Sequence, residues 1–226
     1  MTVHEFSKKI DFTILRPEAT KVEMEKFCDT ACKYDFYTVA VLPNMVDFVK
    51  TRLKGTDIGI TVAISFPTGL NTIRQKVNEC SEAIQDGADE FDMVVNVADV
   101  KLNNFYKIEE EIKQFKNVTN GLVSKLIFEA PLLSEIQIKI LCMLCVEYNI
   151  DFVKTSTGFG GNIARVEDVK IMKESVHGET LVKAAGGIRD LKKALSMIDA
   201  GAERLGISSA PEIVNDYKKK IMKDKN

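Results

Sequence analysis

The chain has 226 residues, 45% hydrophobic and 28% charged, a balance that excludes disordered, collagenous and coiled-coil proteins. Lys+Arg is 31 against Asp+Glu 33, a formal charge of -2, which gives no basic footprint for nucleic acid and no polybasic membrane patch. No apolar run approaches the ~18 residues of a membrane span, and the opening MTVHEFSKKID lacks a signal-peptide core, so a cytoplasmic protein is expected.

At ~150 residues per domain the length falls between one domain and two, but α/β barrels occupy ~200–250 residues as one unit. No Pro/Gly/Ser-rich linker interrupts the chain, so one domain is expected over 1–226. Short, β-branched, nearly continuous apolar runs alternate with helical stretches, as in parallel strands covered on both faces. The first two runs are KIDFTIL (9–15) and YTVAVLP (37–43), with Thr20 to Glu23 forming a capping box between them. IGITVAISF (58–66) leads to a second box at Thr72 to Gln75, and EFDMVVNV (90–97) follows a helix end at Gly87. SKLIFEA (124–130) precedes a third box at Ser134 to Gln137, and DFVKTST (151–157) comes next. LVKAAGG (181–187), a helix end at Gly201, RLGISS (204–209) and a helix from about Pro211 close the series.

A weak internal repeat relates AIQDGADEFDMVV, EYNIDFVKTS and MIDAGAERLGIS, placing Asp92, Lys154 and Gly206 at equivalent positions. Eight β–α alternations predict a (β/α)8 TIM barrel. An open doubly wound sheet is the alternative, but it requires a glycine fingerprint after its first strand, and DFTILRPEAT has no glycine.

Five cysteines with no secretory signal argue against a disulfide framework, and Cys142 and Cys145 read as core thiols at helical spacing. His4 lies near an expected fraying end and His177 precedes a strand, on the side of a barrel that serves stability. No metal site or cofactor is expected. Lys218, Lys219, Lys220, Lys223 and Lys225 read as a solvated helix face.

Three ionisable residues interrupt apolar strands: Asp92, Lys154 and Lys183. Pointing inward, all three would meet near the C-terminal mouth of the barrel. One reading is a buried salt-bridge network. The other is Schiff-base chemistry. A lysine amine at its ordinary pKa of ~10.4 is protonated and inert, whereas burial and a second cation lower that value and free it to attack a carbonyl. A nearby carboxylate then moves protons. Glycine-rich STGFGGN, AAGGIR and GISSAPE follow the late strands, and backbone N–H groups there suit a phosphate, with Ser208 and Ser209 near a helix start and Arg189 a further candidate.

In order and spacing, IDFTILRPEAT, ISFPTGLNTIRQK, GADEFDMVVNV, DFVKTSTGF, VKAAGGIRDLKKAL and GAERLGISS resemble the deoxyribose-phosphate aldolase family over residues 9 to 212. The resemblance implies a class I aldolase that cleaves 2-deoxy-D-ribose 5-phosphate into glyceraldehyde 3-phosphate and acetaldehyde. It implies Lys154 as the Schiff-base lysine, Lys183 as its perturbing cation and Asp92 in the proton relay. Gly158, Gly186, Gly187, Ser208 and Ser209 would hold the phosphate, and Asp11, Thr13 and Asn96 match polar positions at the mouth. The sequence departs from the family pattern at Phe12, Arg16, Ala40 (commonly Cys), Ala130 and Pro131 (commonly Thr-Gly) and Ala185 (commonly Ser). A class I aldolase for another sugar phosphate and a non-catalytic sugar-phosphate-binding barrel are the alternatives, and a homodimer is the base expectation.

Overall fold

The computed structural model describes residues 1–178 and 180–223. The chain begins with helix α1 (Val3–Ser7) and β1 (Ile10–Thr13), followed by α2 (Lys21–Tyr34), β2 (Thr38–Val41), α3 (Val46–Arg52) and β3 (Gly59–Ile64). It continues through α4 (Ile73–Gln85), β4 (Glu90–Val94), α5 (Val97–Lys101), α6 (Phe105–Val118), β5 (Val123–Ile127) and α7 (Glu135–Glu147). The last elements are β6 (Phe152–Lys154), α8 (Val166–Ser175), β7 (Leu181–Ala185), α9 (Leu191–Asp199), β8 (Arg204–Ile207) and α10 (Ala210–Lys223). All strands pair in parallel, and β8 returns to β1 to close an eight-stranded barrel. Each expected run holds one strand, trimmed where the chain leaves the ladder, except that β5 begins one residue before its run at Val123; β2 stops at Val41 because Leu42 and Pro43 enter a 3-10 turn.

Period-2 alternation sorts each strand into two environments. Outward residues such as Phe12, Val39, Val62, Phe91, Leu126, Val153, Val182 and Leu205 join helix residues in one continuous hydrophobic core between barrel and helices. The inward set reads Asp11, Thr38, Thr61, Glu90, Asp92, Lys125, Lys154, Lys183 and Arg204, so the interior of this barrel is built largely from polar and charged groups. Cys142 and Cys145 are buried on α7, and burial pushes the Cys142 thiol up to about 12, consistent with core thiols.

The three expected capping boxes form at Thr20, Thr72 and Ser134, and a fourth at Thr2 starts α1. That last one corrects the expectation of a fraying N-terminus. Phe6 is fully buried and stacks on Tyr217 of α10 at 4.4 Å, and the Tyr217 hydroxyl donates to the Met1 carbonyl at 2.8 Å.

The internal repeat has a physical basis. Asp35, Gly87, Asn149 and Gly201 all take left-handed φ where α2, α4, α7 and α9 end, turning the chain into the even-numbered strands. In three of these turns an acid two residues later accepts the second backbone N–H of the preceding strand: Asp89 from Ile60, Asp151 from Ser124 and Glu203 from Val182, each at 2.9 Å. Lys50, Lys116 and Lys173 pair with these same acids. In the fourth turn Tyr37 stands where the acid would be.

Candidate active site

Inward side chains of β5, β6 and β7 converge on Asp92 of β4. Its Oδ2 accepts hydrogen bonds from Lys154 Nζ and Lys183 Nζ, both at 2.7 Å, and Lys125 Nζ pairs with its Oδ1 at 2.9 Å. Lys183 also pairs with Asp11, and Lys125 with Glu90 at 2.7 Å. Arg204 closes the lattice, bridging Asp11 at 2.5 Å and Glu90 at 3.0 Å while its guanidinium lies 3.7 Å from the Tyr37 ring centre. Four cationic side chains (Lys125, Lys154, Lys183, Arg204) thus face three carboxylates (Asp11, Glu90, Asp92). The lattice balances when one lysine is neutral.

Lys154 is the lysine whose ammonium is disfavoured. Burial disfavours its ammonium, Asp92 opposes that effect, Lys183 and Lys125 add to it, and the net result is a pKa lowered to about 8. Lys125 moves the other way: burial is overcome by Asp92, Glu90 and Asp11, which hold its ammonium in place. Burial raises the Asp92 carboxyl, but Lys125, Lys154 and Lys183 outweigh it and keep the group well below the usual carboxylate range. Access separates the lysines as well. Lys154 retains 4% of its side-chain surface, whereas Lys125 and Lys183 retain none. At pH 7 a value near 8 leaves about one amine in ten unprotonated, against about three in ten thousand at the ordinary lysine value.

Small inward residues (Ala40, Ala63, Ala185 and Gly206) line the mouth side of β2, β3, β7 and β8. A Cβ on Gly206 would lie 2.8 Å from Ala185 Cβ and 3.4 Å from Lys183 Cε, so a glycine there keeps Lys183 unobstructed. The loops after β6 and β7 meet glycine to glycine: a Cβ added to Gly158 would sit 3.1 Å from Gly186 Cα. Both take positive φ, as does Gly187. After β8, Ser208 is exposed, and the Ser209 Oγ at the start of α10 is a buried hydroxyl with no hydrogen-bond partner. A buried orphan hydroxyl beside a helix N-terminus suits an anion. Arg189 is exposed in the loop before α9.

A family model described as DeoC/LacD family aldolase matches residues 7–210. The chain belongs to that family. It is 45% identical to deoxyribose-phosphate aldolase 1 of Mesoplasma florum, over 92% of this chain and 94% of that protein. It is likewise 45% identical to the deoxyribose-phosphate aldolase of Alkaliphilus oremlandii, over 94% of this chain and 96% of that one. Among solved structures, the tetrameric deoxyribose phosphate aldolase of Aeropyrum pernix superposes with a TM-score of 0.87 at 25% identity, covering 96% of this chain and 92% of that one.

Within this aldolase the structure brings Asp92, Lys154 and Lys183 together, with Asp11 beside them. Asp11 is fully buried with its oxygens on Lys183 and Arg204. It shares the charge lattice with Asp92, Lys125, Lys183 and Arg204. Burial raises the Asp11 carboxyl, and Lys183 and Arg204 reverse that to hold it low. Thr13, one inward step nearer the mouth, is half-buried and donates to the Asp11 carbonyl at 2.9 Å. Asn96 caps α5, accepting the Asp99 N–H at 3.2 Å.

Sequence reasoning missed Lys125, Glu90 and Arg204, because Glu90 and Arg204 open their strands and Lys125 stands second in its expected run. Period 2 carried the signal: Glu90 and Arg204 lie two residues before Asp92 and Gly206, on the same inward face. Among the described residues, no cluster of three or more His, Cys, Asp or Glu could hold a metal ion.

Proposed function

We propose that this chain reversibly cleaves 2-deoxy-D-ribose 5-phosphate to D-glyceraldehyde 3-phosphate and acetaldehyde through an imine on Lys154. The observation that carries the reading is a Lys154 amine with a pKa lowered to about 8, bonded at 2.7 Å to an ionised carboxylate in a lattice with one surplus cation. The close deoxyribose-phosphate aldolase relatives favour this substrate over other sugar phosphates and over a non-catalytic binding role.

The unprotonated Lys154 amine adds to the open-chain C1 aldehyde and loses water to give an iminium. The C3 hydroxyl then gives up its proton and the C2–C3 bond breaks. Its electron pair flows into the iminium, leaving an enamine on Lys154 and releasing glyceraldehyde 3-phosphate. Asp92, beside the reacting nitrogen, moves the protons directly or through a water, and protonation of the enamine carbon followed by hydrolysis frees acetaldehyde and the amine. Lys183 keeps the amine poised. Gly158, Gly186, Gly187, Ser208 and Ser209 hold the phosphate, with Thr13 at the mouth. The enzyme works as a cytoplasmic homodimer; sedimentation at micromolar concentration tests the dimer.

Borohydride reduction in the presence of acetaldehyde should add 2-carbon mass at Lys154, and the purified protein should cleave deoxyribose 5-phosphate. A folded protein that gives neither result overturns the proposal.

A further inference from the structure

The proposed phosphate glycines come from two loops, and a buried carboxylate outside the charge lattice ties those loops together. Glu129 follows β5 with φ 54 and is 5% exposed. One of its oxygens accepts the Thr157 backbone N–H, and the other accepts the Asn162 side-chain amide at 2.7 Å. Between those contacts lie Gly158, Gly160 and Gly161, all at positive φ, a stretch with high conformational entropy unless its ends are fixed.

Each grip leads to a different part of the cradle. Thr157 is the residue before Gly158. The Asn162 carbonyl lies 3.0 Å from where a Gly186 Cβ would stand, and Ile163 Cβ lies 2.8 Å from the same point on Gly187. The Ala164 N–H donates to the Gly186 carbonyl at 2.9 Å, extending the brace. Edge-on contact of Phe159 with Phe66, centroids 5.2 Å apart, steadies the loop from the β3 side. Both Glu129 oxygens are occupied by donors, and no ion pair links Glu129 to Lys154, Lys183 or Asp92 among the described contacts.

We infer that Glu129 is a positioning residue that sets affinity for the substrate's phosphate by clamping the 157–162 loop against Gly186 and Gly187, without acting on the carbon–carbon bond. The inference rests on the aldolase reading above. In Glu129→Ala, KM for deoxyribose 5-phosphate should rise about tenfold with kcat nearly unchanged. Affinity for inorganic phosphate, measured by calorimetry, should fall by a similar factor, while borohydride trapping of acetaldehyde, which carries no phosphate, proceeds at the parent rate. Glu129→Gln retains one acceptor, and the Asn162 amide can turn to meet the new one, so this variant should restore parent values. If Glu129→Ala does not fold, Asn162→Ala supplies the same comparison with one bond removed. Equal losses with phosphate and with acetaldehyde, or no loss in either, overturn the clamp. A parent protein inert toward deoxyribose 5-phosphate overturns the aldolase reading instead, and the phosphate titration still judges Glu129.

Discussion

Strand β4 separates two buried lysine–carboxylate assemblies with opposite charge arithmetic. Outside the barrel, between α4 and α6, Lys76 pairs with Glu111 and donates to the Val94 carbonyl at 2.7 Å. The second Glu111 oxygen accepts the Asn96 N–H at 3.2 Å, so this is one cation against one anion, bolted to the end of β4. Inside, the lattice around Asp92 holds four cations against three carboxylates. Burial lowers Lys76 and raises Glu111, but each has the other as partner. Lys154 shares its carboxylate with two other lysines. A matched pair makes a brace, and a surplus cation leaves one amine easier to deprotonate.

The contrast breaks most completely at Lys154. Lys154→Met should reduce turnover and imine trapping to background while leaving the lattice balanced, so its melting temperature should not fall below the parent's at pH 7. The pH dependence has a defined sign. Lys154 has a folded value of about 8 against 10.5 when unfolded, so the unfolded chain holds more protons between those limits. Parent stability should therefore rise with pH across that window, and Lys154→Met should lose this rise. Thermal melts at a series of pH values decide it.

Next is Lys183→Leu, which removes the cation facing Lys154 and strips a partner from Asp11. The pH profile of borohydride trapping should move alkaline by about one pH unit, and the variant should be destabilised. An unmoved profile would show that burial alone sets the nucleophile. At the brace, Lys76→Met leaves Glu111 buried without its cation and should cost about 3–5 kcal/mol in urea unfolding, whereas Lys76→Met with Glu111→Leu should recover most of it. Both should keep the Lys154 adduct. The smallest effect belongs to Lys219, exposed and paired with Asp216 at 2.8 Å, where Lys219→Ala should leave the melting temperature unchanged.

The sequence exposed what periodicity and turn chemistry encode. Apolar runs marked all eight strands, hydroxyl–carboxamide or carboxylate spacings marked the starts of α2, α4 and α7, and Gly87 and Gly201 marked helix ends. Asp92, Lys154 and Lys183 stood out because each is a charge flanked by apolar neighbours. Lys125, Glu90, Arg204 and the burial of Asp11 were hidden, because near the start of an apolar run a charged residue is equally consistent with a solvated edge. Their inward direction depends on register between strands, which one strand's sequence does not carry. Helix α1 was hidden for a related reason: its stability comes from Phe6 meeting Tyr217, 211 positions later. Glu129 escaped notice because its partners, Thr157 and Asn162, are brought to it only when β6 pairs with β5 on the way to barrel closure.

That closure has its own consequence. The seam joins Ile10 to Leu205 and Asp11 to Gly206, and the Asp11–Arg204 ion pair crosses it. Half the counterions of the Lys183 ammonium come from β1, and β1 is locked in place by the last strand synthesised. Because so much of the sequence lies between the two sides of the seam, their meeting is a late and costly event in folding. A nascent chain that has not yet delivered Arg204 therefore lacks a finished charge lattice around its reactive amine. Assembly of the surroundings of Lys154 is thus coupled to completion of the ring.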